Sequence, residues 1–267
     1  MIRLTLKDEP PLRLVADALV PERLAGKSAA EIERLPLAVG RIEGAVGDWF
    51  RVVVEGGAEV EIDGPCGRLD CIGAGMRAGS IRVHGDAGAY LGLGMRGGSI
   101  AVAGSVGFGA ACDLRGGTLH IAGHAGDGLG GALPGAAAGM RDGVVIVAGT
   151  AGDAAGAALR RGLVIIVGNA GAGCGAEMIA GTILVGGAVG AYAGAAMQRG
   201  SIIALGGAER PGAGFVDCGV HDLVFLRLLA RHLATFGLAE LARRIAPLRR
   251  FAGDAAVAGR GELLVAP

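Results

Sequence analysis

Residues 76–104, MRAGSIRVHGDAGAYLGLGMRGGSIAVAG, hold one complete copy of a nineteen-residue repeat and the start of the next. The pattern is Met or Leu, then mostly Arg, with Gly three positions after the start and apolar residues at every second position thereafter. It begins seven times, at Met76, Met95, Leu114, Met140, Leu159, Met178 and Met197. All steps are nineteen residues except the third, which is twenty-six. A fixed period of this length predicts a stacked repeat architecture.

Two apolar columns inside the repeat predict a short strand. The first column is Ile81, Ile100, Leu119, Val145, Val164, Ile183 and Ile202, and the second is Val83, Val102, Ile121, Val147, Ile166, Val185 and Ala204. Alternation with many β-branched residues is typical of a strand with one buried face. Nineteen residues are too few for a strand, a helical crossover and a return. The pattern therefore predicts a mainly β protein, a parallel β-helix of seven or eight coils about 4.8 Å apart.

The glycines have a predicted structural role, since each coil must turn corners that need positive φ or a close backbone approach. The column three residues into the repeat is Gly79, Gly98, Gly117, Gly143, Gly162, Gly181 and Gly200. A second Gly column is followed by polar residues that we expect to hydrogen-bond to the backbone as a stacked ladder, namely Asp86, Ser105, His124, Thr150 and Asn169. The seven extra residues of the long repeat, around 128–134, should form a loop. An additional upstream coil is expected at Val60, Ile62 and Gly64.

The flanking segments differ from the repeat and divide the chain into 1–45, 46–206 and 207–267. The N-terminal segment carries a helix capping box, Ser28 to Glu31, and its helix should end before Pro36. In the C-terminal segment Leu223, Leu226, Ala230 and Leu233 have helical spacing, and Gly237 is a helix stop. Because the open ends of a β-helix expose unpaired backbone groups, we expect an N-terminal cap and a C-terminal helical cap.

Composition narrows the classes of function. Lys plus Arg equals Asp plus Glu at 25 each, so charge favours neither nucleic acid nor an anionic membrane as a partner. The N-terminus lacks the pattern of a secretory leader, and the five cysteines form no CxxC pair, which predicts a cytoplasmic protein with reduced thiols. Residues 178–198 carry no charge and are long enough to span a bilayer, but they stay in phase with the repeat. We therefore expect no membrane span.

The sequence carries no recognisable catalytic motif. The five histidines (His84, His120, His124, His221 and His232) occupy different repeat positions or a separate segment, and there is no HExxH. The cysteines have no neighbour that would activate a thiolate, so buried small hydrophobes are the expectation. GxG runs occur without the strand, helix and lysine context of a nucleotide site. The sequence predicts no catalytic, cofactor-binding or metal-ligating residue in this chain.

One charged column is the exception. Arg77, Arg96, Arg115, Arg141 and Arg160 occupy the same position in five successive repeats. Stacked like charges repel by roughly 1 kcal/mol per neighbouring pair even in water. One interpretation is that these arginines extend into solvent, which guanidinium groups tolerate. The other is that the column meets an anionic surface, on a partner subunit or on a polyanionic ligand.

The repeat and its flanks resemble a known family. The Gly columns are similar to the GXGXG β-helix domain of the glutamate synthase large subunit. That domain also occurs in the C subunit of formylmethanofuran dehydrogenase and in that of the bacterial formyltransferase/hydrolase complex. The flanks of the second group resemble residues 19–28 (LVPERLAGKS) with Glu31-Ile32, residues 47–50 (GDWF), and Gly253-Asp254 with residues 259–263 (GRGEL).

That resemblance implies a right-handed β-helix, in keeping with parallel crossovers, and a non-catalytic structural or assembly subunit in methylotrophic one-carbon metabolism. The implied complex moves formyl from formyl-tetrahydromethanopterin to a methanofuran-type carrier and releases formate. The implied partners are an amidohydrolase-like subunit that holds zinc, a formyltransferase-like subunit and a molybdoenzyme-like subunit. This chain itself is expected to bind no cofactor. The Lys-poor composition lacks a hyperthermophile signal, which favours the bacterial complex.

Three alternatives are open at this point. The first is that the chain is the C subunit of a tungsten or molybdenum formylmethanofuran dehydrogenase. The second is that it is a glutamate-synthase-type domain that couples two active sites. A hexapeptide-repeat acyltransferase, the alternative from the enzyme class, needs coils of three hexads. The period of nineteen and the absence of hexads disfavour it.

Overall fold

The computed structural model of the protein describes residues 1–37, 40, 44–209 and 211–267. Part of the predicted N-terminal segment, residues 38–39 and 41–43, lies outside the described residues. The described residues form five α-helices: α1 Pro21–Leu24, α2 Ala29–Glu33, α3 Val46–Trp49, α4 Val224–Thr235 and α5 Ala239–Arg243. The strands before the repeats are β1 Ile2–Leu6, β2 Leu14–Val15, β3 Phe50–Val54, β4 Glu59–Asp63 and β5 Leu69–Asp70.

The repeats and the C-terminal segment supply the remaining strands. Those of the seven repeats are β6 Ser80–Val83, β7 Ser99–Val102, β8 Arg115–Ile121, β9 Asp142–Val147, β10 Leu163–Ile166, β11 Thr182–Val185 and β12 Ser201–Ala204. The C-terminal segment adds β13 Val216–His221, β14 Leu248–Gly253 and β15 Gly261–Val265. Thirteen strands form one large, mostly parallel sheet in the order β13-β14-β15-β12-β11-β10-β9-β8-β7-β6-β4-β1-β3, while β2 pairs with β5 separately. The fold is mainly β.

Strands of successive repeats lie side by side with their repeat positions in register. Ile81 pairs with Ile100 and Ile100 with Leu119, and the same column continues to Ile202. The residues of both predicted apolar columns are buried in one continuous core, which confirms the predicted strand and its buried face. The upstream strand is also confirmed, because β4 pairs in parallel with β6 through Val60–Ile81 and Ile62–Val83.

A second line of contacts joins the repeats at the corner after the strand. Single parallel bridges connect Ala87, Val106, Ala125, Ala151, Ala170, Val189 and Ala208 in succession. Beside them the predicted polar ladder is present at Asp86, Ser105, His124 and Asn169, whereas the Thr150 hydroxyl contacts His124 Nδ1 instead of a backbone N–H. Asp86 Oδ1 accepts from the N–H of Ser105 at 2.7 Å, and Ser105 Oγ accepts from the N–H of His124 at 3.0 Å. Each of these side chains therefore satisfies a backbone donor of the following repeat, not of its own turn.

The first Gly column sits at a close approach between one repeat and the previous one. Gly98 has φ +87°, and a Cβ built there would lie 2.6 Å from the carbonyl oxygen of Gly79. Gly117 has φ +90° and would lie 2.6 Å from the carbonyl oxygen of Gly98. Both the left-handed backbone and the missing Cβ are thus needed at the same position.

The N-terminal segment packs onto the first strands of the sheet. β1 adds in parallel to β4, and β3 adds antiparallel to β1 at the edge. α1 and α2 bury Leu24 and Ile32 in the same core as the repeats. The capping box is confirmed, since Ser28 Oγ accepts from the N–H of Glu31 and the Glu31 carboxylate accepts from the N–H of Ser28. The helix ends at Glu33, before Pro36, as predicted.

The C-terminal segment differs from the prediction. α4 forms where the spacing predicts it, and Gly237 follows its end with φ +77°. However, α4 and α5 do not close the last repeat. Their buried residues Leu226, Leu233 and Leu241 pack on Ile146, Ile165, Leu184 and Ile203, which project from the outer face of β9 to β12. The sheet itself continues past β12, because β15 pairs with it in parallel and β14 and β13 follow antiparallel.

In the long repeat Gly128 and Gly130 keep the inter-repeat hydrogen bonds of their column, so the extra residues lie between Gly130 and Met140, slightly later than predicted, with residues 134–137 exposed. The uncharged segment 178–198 forms β11 and turns. Among the described residues no helix is long and apolar enough to cross a membrane.

Candidate functional site

The predicted arginine column lies at the boundary between a turn and the following strand. Each arginine follows a fully buried Met or Leu. From the second arginine onward the backbone N–H donates to the previous repeat, for example Arg96 to Met76 O and Arg115 to Met95 O, both at 2.7 Å, whereas the N–H of Arg77 donates to Glu22 Oε1 at 2.8 Å. Backbone bonds of this kind place Arg77, Arg96, Arg115, Arg141 and Arg160 one above the next. We call these five residues the arginine edge. The Arg141 residue is half-buried and the other four are exposed.

A carboxylate interrupts the arginine edge in its middle. Asp113 Oδ2 accepts from Arg115 Nη2 at 2.8 Å, and Asp113 Oδ1 accepts from Arg141 Nε at 2.7 Å. Partial burial disfavours the charged carboxylate, but the hydrogen bonds from Arg115 and Arg141 outweigh burial and lower the pKa of Asp113. Asp113 therefore neutralises much of the charge on two of the five arginines.

Sequence reasoning missed Asp113, although a signal exists. The residue before the Met or Leu is Gly in the first two repeats, Gly75 and Gly94, and Asp in the third. Asp113 adopts φ +50° there, in the left-handed region that Asp tolerates better than most residues. This backbone conformation turns its carboxylate towards the arginines on either side. Among the described residues no carboxylate lies within ion-pair distance of the guanidinium groups of Arg77, Arg96 or Arg160.

The positive edge continues beyond the predicted column. In the last two repeats the position of the column is Ile179 and Gln198, but the following position supplies Arg199, and the residue before β15 supplies Arg260. Gln198, Arg199 and Arg260 line an open groove of about 480 Å³ together with Val257 and Ala258. The N–H of Arg260 donates to the carbonyl oxygen of Gln198 at 2.7 Å, so the two segments are joined directly.

A second charged cluster lies on the outer face of β1, β4 and β6. The Glu61 side chain is only 8% exposed and pairs with Arg3 Nη2 at 3.1 Å and Arg82 Nη1 at 3.2 Å. Burial opposes ionisation of Glu61, yet the arginines and His84 outweigh it and lower its pKa. These strands thus carry charged residues where β9 to β12 carry the apolar residues covered by α4.

The remaining titratable residues do not form a cluster of metal-ligand type. Within the described ranges no group of three His, Cys, Asp or Glu side chains is placed to hold a metal ion. All five cysteines are free thiols. Cys66, Cys112 and Cys174 are buried, which confirms that they pack as small hydrophobes, and burial raises the pKa of each thiol. The same expectation is wrong for Cys218, which is exposed, and holds only in part for the half-buried Cys71.

Comparisons with known proteins agree with the part of the resemblance that concerns the C subunits of formyl-handling complexes. No family model matches the sequence. A segment of 91 residues is 42% identical to the C subunit of the formyltransferase/hydrolase complex Fhc of Methylorubrum extorquens and covers 34% of each chain. Another of 85 residues is 34% identical to the C subunit of molybdenum-containing formylmethanofuran dehydrogenase 1 of Methanosarcina barkeri, covering 30% of this chain and 28% of that protein. The sequence alignments thus span about a third of the curated relatives.

The structural comparison extends the likeness to the whole chain. The protein superimposes with a TM-score of 0.94 on a chain in the crystal structure of the formyltransferase/hydrolase complex (FhcABCD) from Methylorubrum extorquens in complex with methylofuran. The identity is 41%, and the match covers 99% of both chains. By this whole-length likeness, together with the matched C-subunit segments, the chain belongs to the C-subunit family of the formyltransferase/hydrolase complex and formylmethanofuran dehydrogenase.

Proposed function

We propose that this chain is the non-catalytic structural and assembly subunit of a formyltransferase/hydrolase complex. The observation that carries the proposal is the match over 99% of both chains at 41% identity to a component of the FhcABCD complex. The complex would move formyl from formyl-tetrahydromethanopterin to a methanofuran-type carrier and release formate. The zinc and the carrier would be held by other subunits. A cytoplasmic location accompanies this function.

The architecture we propose is a right-handed parallel β-helix of seven or eight coils. Support comes from the parallel in-register strands, from the line of bridges at a second corner, and from the right-handedness of parallel crossovers. Residues 46–206 would form the β-helix, and residues 1–45 and 207–267 would flank it. A stack of this kind presents extended faces on which several subunits can bind at once. This property suits a subunit that organises a complex better than one that catalyses a reaction.

Copurification tests the proposed function. A tagged copy of the chain, expressed in its native host, should bring down an amidohydrolase-like, a formyltransferase-like and a molybdoenzyme-like subunit, identified by mass spectrometry. An unrelated tagged cytoplasmic protein is the control. Iron–sulfur subunits with bound tungsten or molybdenum would instead establish the dehydrogenase alternative, which alignments over 30% to 32% of the chain support. An amidotransferase partner would establish the glutamate-synthase-type alternative.

We further propose the arginine edge as a contact for an anionic surface of a partner or for a polyanionic ligand. Structural need does not account for Arg77, Arg96 and Arg160, since no described carboxylate pairs with their guanidinium groups and all three residues are exposed. The ion pairs of Asp113 with Arg115 and Arg141 reduce the positive charge at the middle of this surface. The contact would therefore depend on the arginines at the two ends of the edge.

Substitution at the ends of the edge tests this contact. The double variant Arg96→Gln and Arg160→Gln should weaken association in the copurified complex by about tenfold and flatten its salt dependence, because two exposed cations are lost. Arg23→Gln with Arg34→Gln, which removes two exposed arginines of the N-terminal segment, is the matched control. Binding is measured by surface plasmon resonance between about 50 and 500 mM salt, roughly a threefold range of Debye length. Equal behaviour of the two double variants would remove the arginine edge as a contact.

A further inference from the structure

Strand β3 is a regular edge strand of the large sheet. Among the described residues it pairs only with β1, antiparallel, from Ile2–Val54 to Leu6–Phe50. The N–H of Glu55 donates to Met1 O and the N–H of Lys7 donates to Trp49 O, both at 2.8 Å. In an antiparallel pair, bonded and non-bonded positions alternate. Residues 51, 53 and 55 therefore direct their backbone groups at β1, while Val52 and Val54 direct theirs away from the sheet.

The outward groups of Val52 and Val54 have no backbone partner among the described residues. The opposite edge of the sheet is different, because the β13–β14 pairing is shifted by an irregularity between Asp217 and Val220. Bulged edge strands resist pairing with another chain, whereas a regular five-residue edge is a ready template for one. Of the two edges of the large sheet, β3 is therefore the one whose regular backbone can pair with a further strand.

We propose that β3 pairs antiparallel with β3 of a second copy of this chain, around a two-fold axis at Val53. In that register Val52 of each copy is hydrogen-bonded to Val54 of the other, and the two Val53 residues face each other. The side chains on the same face are then Arg51 of one copy opposite Glu55 of the other, twice. The inference concerns self-association and is independent of the proposed function.

Charge and shape both select a second copy. Arg51 and Glu55 flank Val53 symmetrically and are exposed, so self-pairing turns both into opposite-charge neighbours. Val53 itself is 43% exposed, an apolar side chain at the centre of the proposed contact. An isologous interface requires this kind of self-complementarity, whereas a strand from a different chain would not.

Cysteine cross-linking tests the register. In the full-length chain, Val53→Cys should form a disulfide-linked dimer under mild oxidation, because directly opposed residues lie within disulfide range. Arg51→Cys is the matched control, since residue 51 in the two copies would be about 13 Å apart along the strands and outside that range. Mass spectrometry of the linked peptides separates these bonds from any through the exposed Cys218. A Val53→Cys bond to a different subunit, or equal cross-linking of both variants, would overturn the proposal.

Charge exchange tests the pairing without a covalent bond. Arg51→Glu and Glu55→Arg alone should each dimerise at least about tenfold more weakly than the unmodified chain, because both cross-pairs become like charges. A mixture of the two single variants should form a mixed dimer, and the double variant should recover self-association. Analytical ultracentrifugation over a range of concentrations measures the unmodified chain, both single variants, their mixture and the double variant, with Arg23→Glu, at an exposed arginine outside the arginine edge, as the control for net charge. A mixture that dimerises no better than its components would contradict the proposed pairing. So would an unmodified chain that stays monomeric at every concentration.

Discussion

At the residue scale, the first Gly column is the point at which sequence and backbone constrain each other most tightly. Every one of its seven members has φ between +87° and +106°. From the second member onward, a Cβ would also meet the carbonyl group of the preceding repeat. We therefore propose that these glycines are required for stacking. Some glycines elsewhere in the repeat have positive φ but no close neighbour, so they serve as controls that separate backbone strain from steric overlap with the preceding repeat.

Gly117→Ala should lower the free energy of unfolding by about 2–4 kcal/mol, the sum of an unfavourable φ and an overlap with Gly98 O. Gly75→Ala should cost only about 1 kcal/mol. Position 75 also has positive φ, but a Cβ there meets nothing within 4 Å, and Ala158 and Ala196 occupy the same repeat position. Urea denaturation of both variants measures the difference. Equal losses would show that φ alone, and not the contact between repeats, makes the column glycine.

Asp113 makes part of the stability depend on pH. Its pKa in the folded protein is lowered below the ordinary value of 3.8, so its contribution is present above that value and is lost as pH falls through the folded pKa. Asp113→Asn should therefore cost about 0.5–1 kcal/mol at pH 7 and progressively less below about pH 4. Thermal unfolding of both proteins from pH 7 to pH 3 checks this. A difference that grows on acidification would contradict the assigned sign.

At the element scale, the strands and their buried faces could be predicted, whereas the surface on which α4 packs could not. The signal for each repeat strand is local in the sequence, because alternation and β-branching indicate which face is buried. The spacing of α4 predicts a helix equally well, but amphipathic spacing does not say which surface the helix covers. A signal is present in the outward column, which runs Arg82, Ala101 and His120 and then Ile146, Ile165, Leu184 and Ile203. Strands apolar on both faces need a cover on each side.

The cover formed by α4 can be measured by truncating one buried leucine. Leu233→Ala should cost about 2–4 kcal/mol and speed amide exchange in α4, because Leu233 is 0% exposed against the outer face of the sheet. Leu228→Ala on the same helix is the control, since Leu228 is 59% exposed and should change stability by less than about 0.5 kcal/mol. If the two variants matched, α4 would not be packed on the sheet in solution.

At the scale of the whole molecule, one continuous core links the N-terminal segment with all the repeats. Thiol reactivity reports on that core along the stack. Cys66, Cys112 and Cys174 are buried, and burial raises the pKa of Cys66 and Cys174 to about 12 and that of Cys112 to about 11.

With an aromatic disulfide reagent at pH 8, the exposed Cys218 of the native protein should react rapidly and the half-buried Cys71 slowly, each releasing one equivalent of aromatic thiolate from the reagent. The other three thiols should react only after unfolding in urea. Cys218→Ser, as the control, should remove the rapid phase alone. Rapid reaction of more than two thiols in the native protein would mean that the stack opens locally.

The sequence by itself determined the repeat, the strand in each copy, the glycine corners, the capping box and the arginine column. All of these follow from local backbone preferences repeated at a fixed period, and stacking copies them into register. Only the tertiary structure decided that α4 covers a side of the sheet, that β15 extends it, and that Asp113 pairs with Arg115 and Arg141. Those contacts join residues that no period relates, and their geometry depends on how far apart the folded backbone places them. The arginine column therefore became, on folding, a positive edge with a neutralised centre and two charged ends.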